Sequence, residues 1–317
     1  MVEPVLDDCA GRSRSEVVQK LSNQLAVHVE RLLGRRVLGW RSITRGGWSI
    51  ARRGVFELEG GEKVFAKMGD VPDTITAIRT ECKLYPLLAG PFVPRLLAAD
   101  PDEAILVLED LSAATWPPPW TAQLLAGLED LFVELAATAA DPDLPTLANR
   151  LREWGAWERV AADPSALLAS GAVSAAWLNR YLQTLLDAQS RGSTAGDSLL
   201  HMDIRSDNLC FRGGRPMLVD WNHAARGDSR WDRLLMLQTI ELEAGPRAEV
   251  QAPDADPAIV AWLAGYFAAR VGLPAPEGAP GVRSFQRAQL DVVLPWACRL
   301  LHIPAPTPMT RSPGAEA

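Results

Sequence analysis

Two hydrophobic periods divide this chain, and they meet near residue 111. From Val37 to Gly69 short apolar runs alternate with the glycines Gly46, Gly47, Gly54, Gly60 and Gly61. That pattern predicts antiparallel strands, with Glu59-Gly60-Gly61-Glu62 as a hairpin turn. Residues 73–88 return to helical spacing through Ile75, Ile78, Leu84 and Leu87, and Phe92–Leu97 and Ala104–Leu108 read as two further strands. In front lies a helix: Ser13 and Glu16 form a capping-box pair, Val17, Leu21, Leu25, Val29 and Leu32 follow at helical spacing, and Gly34 stops it. The first part is thus a small sheet with an inserted helix.

Ser112 to Trp120, with three consecutive prolines, reads as a connection between two lobes. Beyond it helices dominate, over 121–139, about 145–161, 173–189, 231–243, 257–271 and 282–301. A segment of different character, Leu199 to Asp220, interrupts them and turns at Gly213-Gly214. The stretch after Ile303 is proline-rich and is expected to be a disordered tail. A chain of 317 residues buries roughly 75% of its unfolded surface, and chains of that size tend to divide in two.

Composition removes several classes. A net charge of -7 lacks the basic footprint of a nucleic-acid binder. The four cysteines, Cys9, Cys82, Cys210 and Cys298, contain no CxxC pair, so neither zinc nor redox chemistry is signalled. The first residues carry no signal-peptide pattern and no apolar run reaches membrane-spanning length, so a cytoplasmic protein with reduced thiols is expected. Among 32 Lys and Arg residues, Lys appears only at Lys20, Lys63, Lys67 and Lys83. A lysine in a suggestive place is therefore less readily dismissed as filler.

The most informative stretch is His201-Met202-Asp203-Ile204-Arg205-Ser206-Asp207-Asn208, followed by Met217-Leu218-Val219-Asp220-Trp221-Asn222. The glycine turn brings the second run back beside the first, so Asp203, Asn208 and Asp220 converge. Asn208 and Asp220 offer hard oxygen ligands of the kind Mg²⁺ takes, and Asp203 is left to accept a proton from a hydroxyl. That is the minimum equipment for phosphoryl transfer, where positioning and charge neutralisation do most of the catalysis. Taken alone the string reads equally well as a loop, because Asp and Asn also cap helices and form turns.

Upstream, Val64-Phe65-Ala66-Lys67 ends a strand, and Glu81 lies in the inserted helix. A strand lysine paired with a helix glutamate is how kinases hold nucleotide phosphates; a surface Lys and a solvated Glu are the bland alternative. Gly46, Gly47, Trp48 and Ser49 open the sheet, where glycines allow close approach to a phosphate and Ser49 adds a hydroxyl donor. With neither GxGxxG nor the Walker pattern present, the turn alone is also an ordinary hairpin.

The order of these features resembles the aminoglycoside phosphotransferase family, the small-molecule relatives of protein kinases. The matching motifs run from about residue 40 to 235. The resemblance implies an α+β, protein-kinase-like bilobal fold: a small antiparallel-sheet lobe with an inserted helix over 1–111, a connection over 112–120, a larger helical lobe over 121–303, and a tail over 304–317. It implies an enzyme that uses ATP and Mg²⁺ to phosphorylate a hydroxyl of a small molecule. Asp203 would be the catalytic residue, and Asn208 and Asp220 the metal ligands. The nucleotide would meet Gly47, Trp48, Ser49, Lys67 (oriented by Glu81), and the backbone of Glu109 and Leu111, with Leu108 bordering the adenine. His201 resembles the histidine that braces the loop, and Asp232 the helix aspartate that steadies it.

Three departures stand out. Met202 and Arg205 replace the Gly and His that many relatives carry around the loop Asp. Asn222 stands where relatives often have a second acid, which puts a second metal contact in question. Arg52 and Arg53 make the segment after the glycine turn unusually basic, touching phosphate or merely solvated. The negative net charge beside a phosphate-handling site leads to an expectation of acids on the acceptor side, and hence of an amine-bearing acceptor such as an aminoglycoside or an amino sugar. A metabolic kinase of the same fold, acting on a sugar, a choline-like or an amino-acid alcohol, and a nucleotide-binding regulator without catalysis are the alternatives. The sequence leaves open His223, a site or turn residue, and Trp116 and Trp120, pocket walls or packing. It also leaves open the oligomeric state.

Overall fold

The computed structural model describes residues 14–43 and 49–307. Ser13 of the expected capping box, Arg45, Gly46, Gly47 and Trp48 of the glycine turn, and the end of the tail from residue 308 lie outside the described residues.

In chain order the first part comprises α1 (Arg14–Leu33), β1 (Val37–Ser42), β2 (Arg52–Leu58), β3 (Lys63–Met68), α2 (Pro72–Leu84), β4 (Leu96–Asp100) and β5 (Ile105–Glu109). The strands form one antiparallel sheet in the order β1-β2-β3-β5-β4. Strand alternation sorts its side chains onto two faces. Val64, Ala66, Ile105 and Val107 pack with Phe56 and Leu58 against Leu25 and Val29 of α1. Phe65, Leu106 and Leu108 take the opposite face, packing with Ile78 and Cys82 of α2. Lys67 follows Ala66 in β3 and so points to the α2 face. The hairpin between β2 and β3 turns at Gly60 and Gly61, whose φ angles of +97° and +83° suit glycine.

The expected strand over 92–97 begins only at Leu96. Pro94 has no N–H to donate to a ladder, and the Phe92 carbonyl instead accepts the Leu218 N–H at 2.8 Å. Phe92, fully buried, stacks on Trp221. This segment therefore joins the sheet to the loop region of the second lobe.

The second part comprises α3 (Ala122–Ala137), α4 (Leu147–Trp154), α5 (Trp157–Ala162), α6 (Ser165–Ala169), α7 (Ala175–Gln189), β6 (Ser198–Leu200), β7 (Leu209–Arg212), β8 (Arg215–Leu218), β9 (Ala225–Gly227), α8 (Arg230–Leu242), α9 (Ala248–Gln251), α10 (Pro257–Ala268) and α11 (Val282–Leu300). The single helix expected over 145–161 is two. Gly155 has φ +65° and ends α4, and Arg270 donates to the exposed carbonyls of Trp154 and Gly155. Two short ribbons, β6 with β9 and β7 with β8, carry the central segment. Before α3, Thr115 exchanges backbone hydrogen bonds with Phe211 at 3.0 and 2.8 Å, tying the proline-rich stretch to β7.

Helix α10 is buried almost all round and forms the centre of the helical lobe. Tryptophans anchor it while satisfying their polar ends: Trp157 donates to the Ala261 carbonyl, Trp231 to Ser193, and Trp177 to Pro304. The Cβ of an alanine at Gly265 would lie 2.7 Å from the Trp157 backbone nitrogen. Gly265→Ala is therefore expected to destabilise the fold by about 1–3 kcal/mol, the range for overpacking. Denaturant unfolding measures this, and unchanged stability would mean the α5–α10 approach is looser.

Candidate active site

Strand β3 and helix α2 deliver the first pair. Register places Lys67 opposite Arg53 on β2 and Leu106 on β5. Glu81 follows Ile78 by one helical turn, so it faces the sheet with it. The Lys67 ammonium forms an ion pair with Glu81 and a second with Asp220, whose Oδ1 lies 2.8 Å from Nζ. Glu81 Oε1 also accepts the Trp221 N–H at 3.2 Å. Burial works against the Lys67 ammonium, but Asp220 and Glu81 outweigh it and hold its pKa above the ordinary lysine value. Burial likewise pushes the Glu81 carboxyl up, against the pull of Lys67. Burial also opposes ionisation of Asp220, yet Lys67, helped by Arg53 and Arg205, keeps it well below the usual carboxylate range.

The loop after β6 builds the second group. Asp232, buried at the start of α8, accepts the backbone N–H groups of His201 and Met202 at 2.6 and 2.7 Å. His201, also buried, has Nε2 2.9 Å from the Val219 carbonyl, and the Asp203 N–H donates to its Nδ1 at 3.2 Å. Burial lowers His201 to about 4. The ring is therefore neutral at pH 7 and braces the loop from within. Met202 has φ +64°, a left-handed conformation in which most non-glycine residues are strained. The two N–H groups held by Asp232 and burial of the Met202 side chain keep the turn in place without a glycine.

Asp203 is gripped from two sides. Asn208 Nδ2 donates to its carbonyl at 2.9 Å and its Oδ2 at 3.1 Å, and Arg205 Nη1 donates to its Oδ1 at 3.0 Å. Arg205 also makes a two-pronged pair with Asp207 at 2.9 and 3.1 Å. Burial raises Asp203 to about 7, with Arg205 pulling the other way. The Val219 N–H donates to the Asn208 carbonyl at 2.9 Å, which brings the end of β8 and Asp220 beside the loop.

Of the residues singled out in the sequence, the structure joins Lys67, Glu81 and Asp220 in one cluster and Asp203 with Asn208 in a second beside it. Gly47 and Trp48 lie outside the described residues. Ser49 is exposed, and its hydroxyl accepts the Ala51 N–H. Glu109 donates its N–H to the Arg95 carbonyl and ties its carboxylate to Arg95 and Arg212. The Leu111 carbonyl accepts the Ala114 N–H. The two basic residues after the glycine turn separate by strand alternation. Arg52 pairs with Asp70 and Gln24, whereas Arg53 shares the Lys67 side and acts electrostatically on Asp220.

Sequence reasoning missed Glu243. Its carboxylate accepts the Trp120 N–H at 2.9 Å and the Ser206 hydroxyl, linking the interlobe stretch to the loop that carries Asp203 and Asn208. A glutamate at a helix end carries no signal that distinguishes this clamp from a solvated side chain.

Donors for a cation are present. Asp220 uses Oδ1 on Lys67, and Asn208 uses only its amide nitrogen on Asp203, leaving one oxygen of each side chain unengaged. The buried Asn222 side-chain oxygen likewise has no partner among the described residues. No cluster of three or more His, Cys, Asp or Glu suited to a metal occurs among the described residues. A carboxylate and an amide completed by phosphate oxygens and water suit Mg²⁺, which keeps part of its hydration.

Beside Asp203 a cavity of about 60 Å³ opens between α4, α8, α10 and α11. Aromatic groups dominate its wall, among them Trp154, Trp262, Tyr266 and Phe285. Among the described lining residues Asp203 is the one carboxylate, so this cavity is not the acid-lined acceptor side expected from net charge. His223 lines this cavity and meets Trp154 edge-on, while Trp120 packs and donates to Glu243.

A family model described as "Phosphotransferase enzyme family" matches residues 59–275. The fold is similar to that of aminoglycoside phosphotransferase APH(4)-Ia in a ternary complex with AMP-PNP and hygromycin B, at 15% identity and a TM-score of 0.59, covering 85% of this chain and 97% of that one. It is also similar to choline kinase LicA from Streptococcus pneumoniae, at 13% identity and a TM-score of 0.57, covering 86% and 99% of the two chains. A third likeness is to a putative fructosamine-3-kinase from Thermobifida fusca, at 18% identity, a TM-score of 0.51 and coverage of 86% and 99%. No curated protein sequence matches the chain. No helix among the described residues is long and apolar enough to cross a membrane.

If Lys67 and Glu81 act as one unit, Lys67→Ala lowers kcat/KM for ATP strongly, Glu81→Gln more mildly, and the double variant little beyond Lys67→Ala. A coupling of roughly 1–3 kcal/mol is expected for such a contact. Additive losses in steady-state kinetics would dissolve the pair.

Proposed function

The chain belongs to the phosphotransferase enzyme family, and from that premise we propose that it transfers the γ-phosphoryl group of ATP to a hydroxyl of a small molecule held against Asp203. The observation that carries this reading is the buried Lys67, joined to both Glu81 and Asp220 and set beside the Asp203–Asn208 loop. One cation holds phosphate, one carboxylate orients it, and a second carboxylate is aligned for a proton. A regulator without catalysis has no use for this whole set. The relative crystallised with AMP-PNP supports ATP as the donor.

In this reading the acceptor oxygen attacks the γ-phosphorus, the new P–O bond forms as the bond to the bridging oxygen of ADP breaks, and the hydroxyl proton passes to Asp203. Asn208 and Arg205 fix the Asp203 carboxylate, so it is oriented before the acceptor arrives. Lys67 and Arg53, on the same side of the sheet, hold the triphosphate. Asp220 and Asn208 would hold Mg²⁺, which neutralises phosphate charge when bound. The Leu111 N–H and Glu109 carbonyl are the backbone groups offered to adenine, since the Glu109 N–H serves Arg95.

The negative net charge predicts an aminoglycoside or amino sugar, but the cavity wall offers it no carboxylate besides Asp203. The metabolic-kinase alternative within the same fold has equal standing on these grounds. A phosphorylation screen across antibiotics and primary metabolites, read by an acceptor mass gain of one phosphoryl group, tests the reading. An absence of Asp203-dependent ATP consumption with every compound would overturn it.

A further inference from the structure

Resting on the phosphotransferase reading, we infer that the acceptor carries an uncharged, ring-sized apolar group that seats in the aromatic cavity beside Asp203, and that it is not a polyamine. Size comes first. A cavity of about 60 Å³ holds roughly four to six water-sized groups at about 10–15 Å³ each, which is the atom count of one ring.

The wall then sets the chemistry. Trp154, Tyr266 and Phe285 are half-buried and line the cavity, with Trp262 stacked on Tyr266 behind. An aromatic box is also how proteins hold quaternary ammonium groups, so charge must decide between the two. Two of these rings already carry a cation. The Arg270 guanidinium lies 3.7 Å from the Tyr266 ring centre, and that of Arg205 lies 5.9 Å from the Phe285 ring centre. Arg205 is spent on Asp203 and Asp207, whereas Arg270 and Arg283, which also bear on Tyr266, form no ion pair with a carboxylate among the described residues. A cationic guest would face Arg270 and Arg283 while both nearby carboxylates are already held by Arg205.

The polar lining agrees. Gln238 is fully buried, and its amide nitrogen donates to Leu235 and Thr239, while its Oε1 has no partner among the described residues. Gln289 lines the same cavity, buried to 4% exposure. None of these side chains favours a charge.

Calorimetry with three probes tests the inference on the intact protein: 2-phenylethanol, choline and kanamycin. The expected result is that 2-phenylethanol binds more tightly than either cation, with a Kd indifferent to ionic strength. Phe285→Ala should weaken that binding about 10-fold, the loss of a stacked ring face together with its contact area. Trp154→Leu provides a second reading of the wall, and thermal melts show that both variants fold. Tighter binding of choline or kanamycin, or no binding of 2-phenylethanol up to its solubility, overturns the inference. Because these arms need no ATP, they judge the cavity alone. The phosphotransferase reading stands or falls separately, on Asp203-dependent ATP turnover.

Discussion

Asp203→Ala is expected to lower turnover by roughly 10²–10⁴-fold, the scale of losing a positioned acid–base group, while ATP binding persists. The fold should survive the change. Arg205 loses the Asp203 contact at 3.0 Å but keeps its two-pronged pair with Asp207, so no buried guanidinium is left alone. Asn208 loses one acceptor and keeps the residue 203 carbonyl. Turnover with the best acceptor, nucleotide binding by calorimetry and a thermal melt together separate chemistry from folding. Near wild-type turnover in a folded variant would remove Asp203 from the mechanism. The pH profile carries the same logic. Burial raises Asp203 to about 7, and only its carboxylate form takes the hydroxyl proton. The rate is thus highest above that value and falls as pH drops through it. Arg205 pulls the value down, so Arg205→Gln should move the acid limb to higher pH.

The loop and its partners were legible because spacing alone places them. A strand of period two puts Lys67 on the face opposite Ala66, and a helical turn puts Glu81 beside Ile78. The glycine turn at Gly213 and Gly214 folds Asp220 back onto Asn208. The aromatic cavity was not legible. Trp154, Gln238, Trp262, Tyr266, Phe285 and Gln289 come from four helices, and an apolar helical position reads the same whether it faces core or cavity. Net charge is silent on the cavity for a related reason: it counts acids without locating them. Here Asp228 and Asp256 hold Arg230, Glu249 holds Arg247 and Arg299, and Asp291 holds Arg287, and none of these acids lines the cavity. The break at Gly155 was missed because its cause, the Arg270 guanidinium on the freed carbonyls, lies more than a hundred residues further on.

Asp220→Asn should raise the Mg²⁺ concentration for half-maximal activity by at least about 10-fold, because even residues that only support a metal ligand shift affinity by that much. The backbone makes this a clean removal of charge. Asp220 sits at φ +70° and ψ +58°, a left-handed conformation that Asn adopts as readily as Asp. Lys67 keeps Glu81 as a partner, so the buried ammonium is not abandoned and the lobes should hold together. What disappears is one negative charge facing the phosphate site. Activity titrated against Mg²⁺ at saturating ATP reads the effect directly, and a melt without nucleotide controls for folding. Asn222→Asp provides the counterpart. Its side-chain oxygen is buried with no partner among the described residues, and relatives often carry an acid there, so the change should be tolerated and lower the Mg²⁺ requirement. Should Asn222→Asp cripple the enzyme as severely as Asp220→Asn, the ligand assignment would be displaced by two residues. Should Asp220→Asn leave the Mg²⁺ requirement unmoved, Asp220 would serve Lys67 alone.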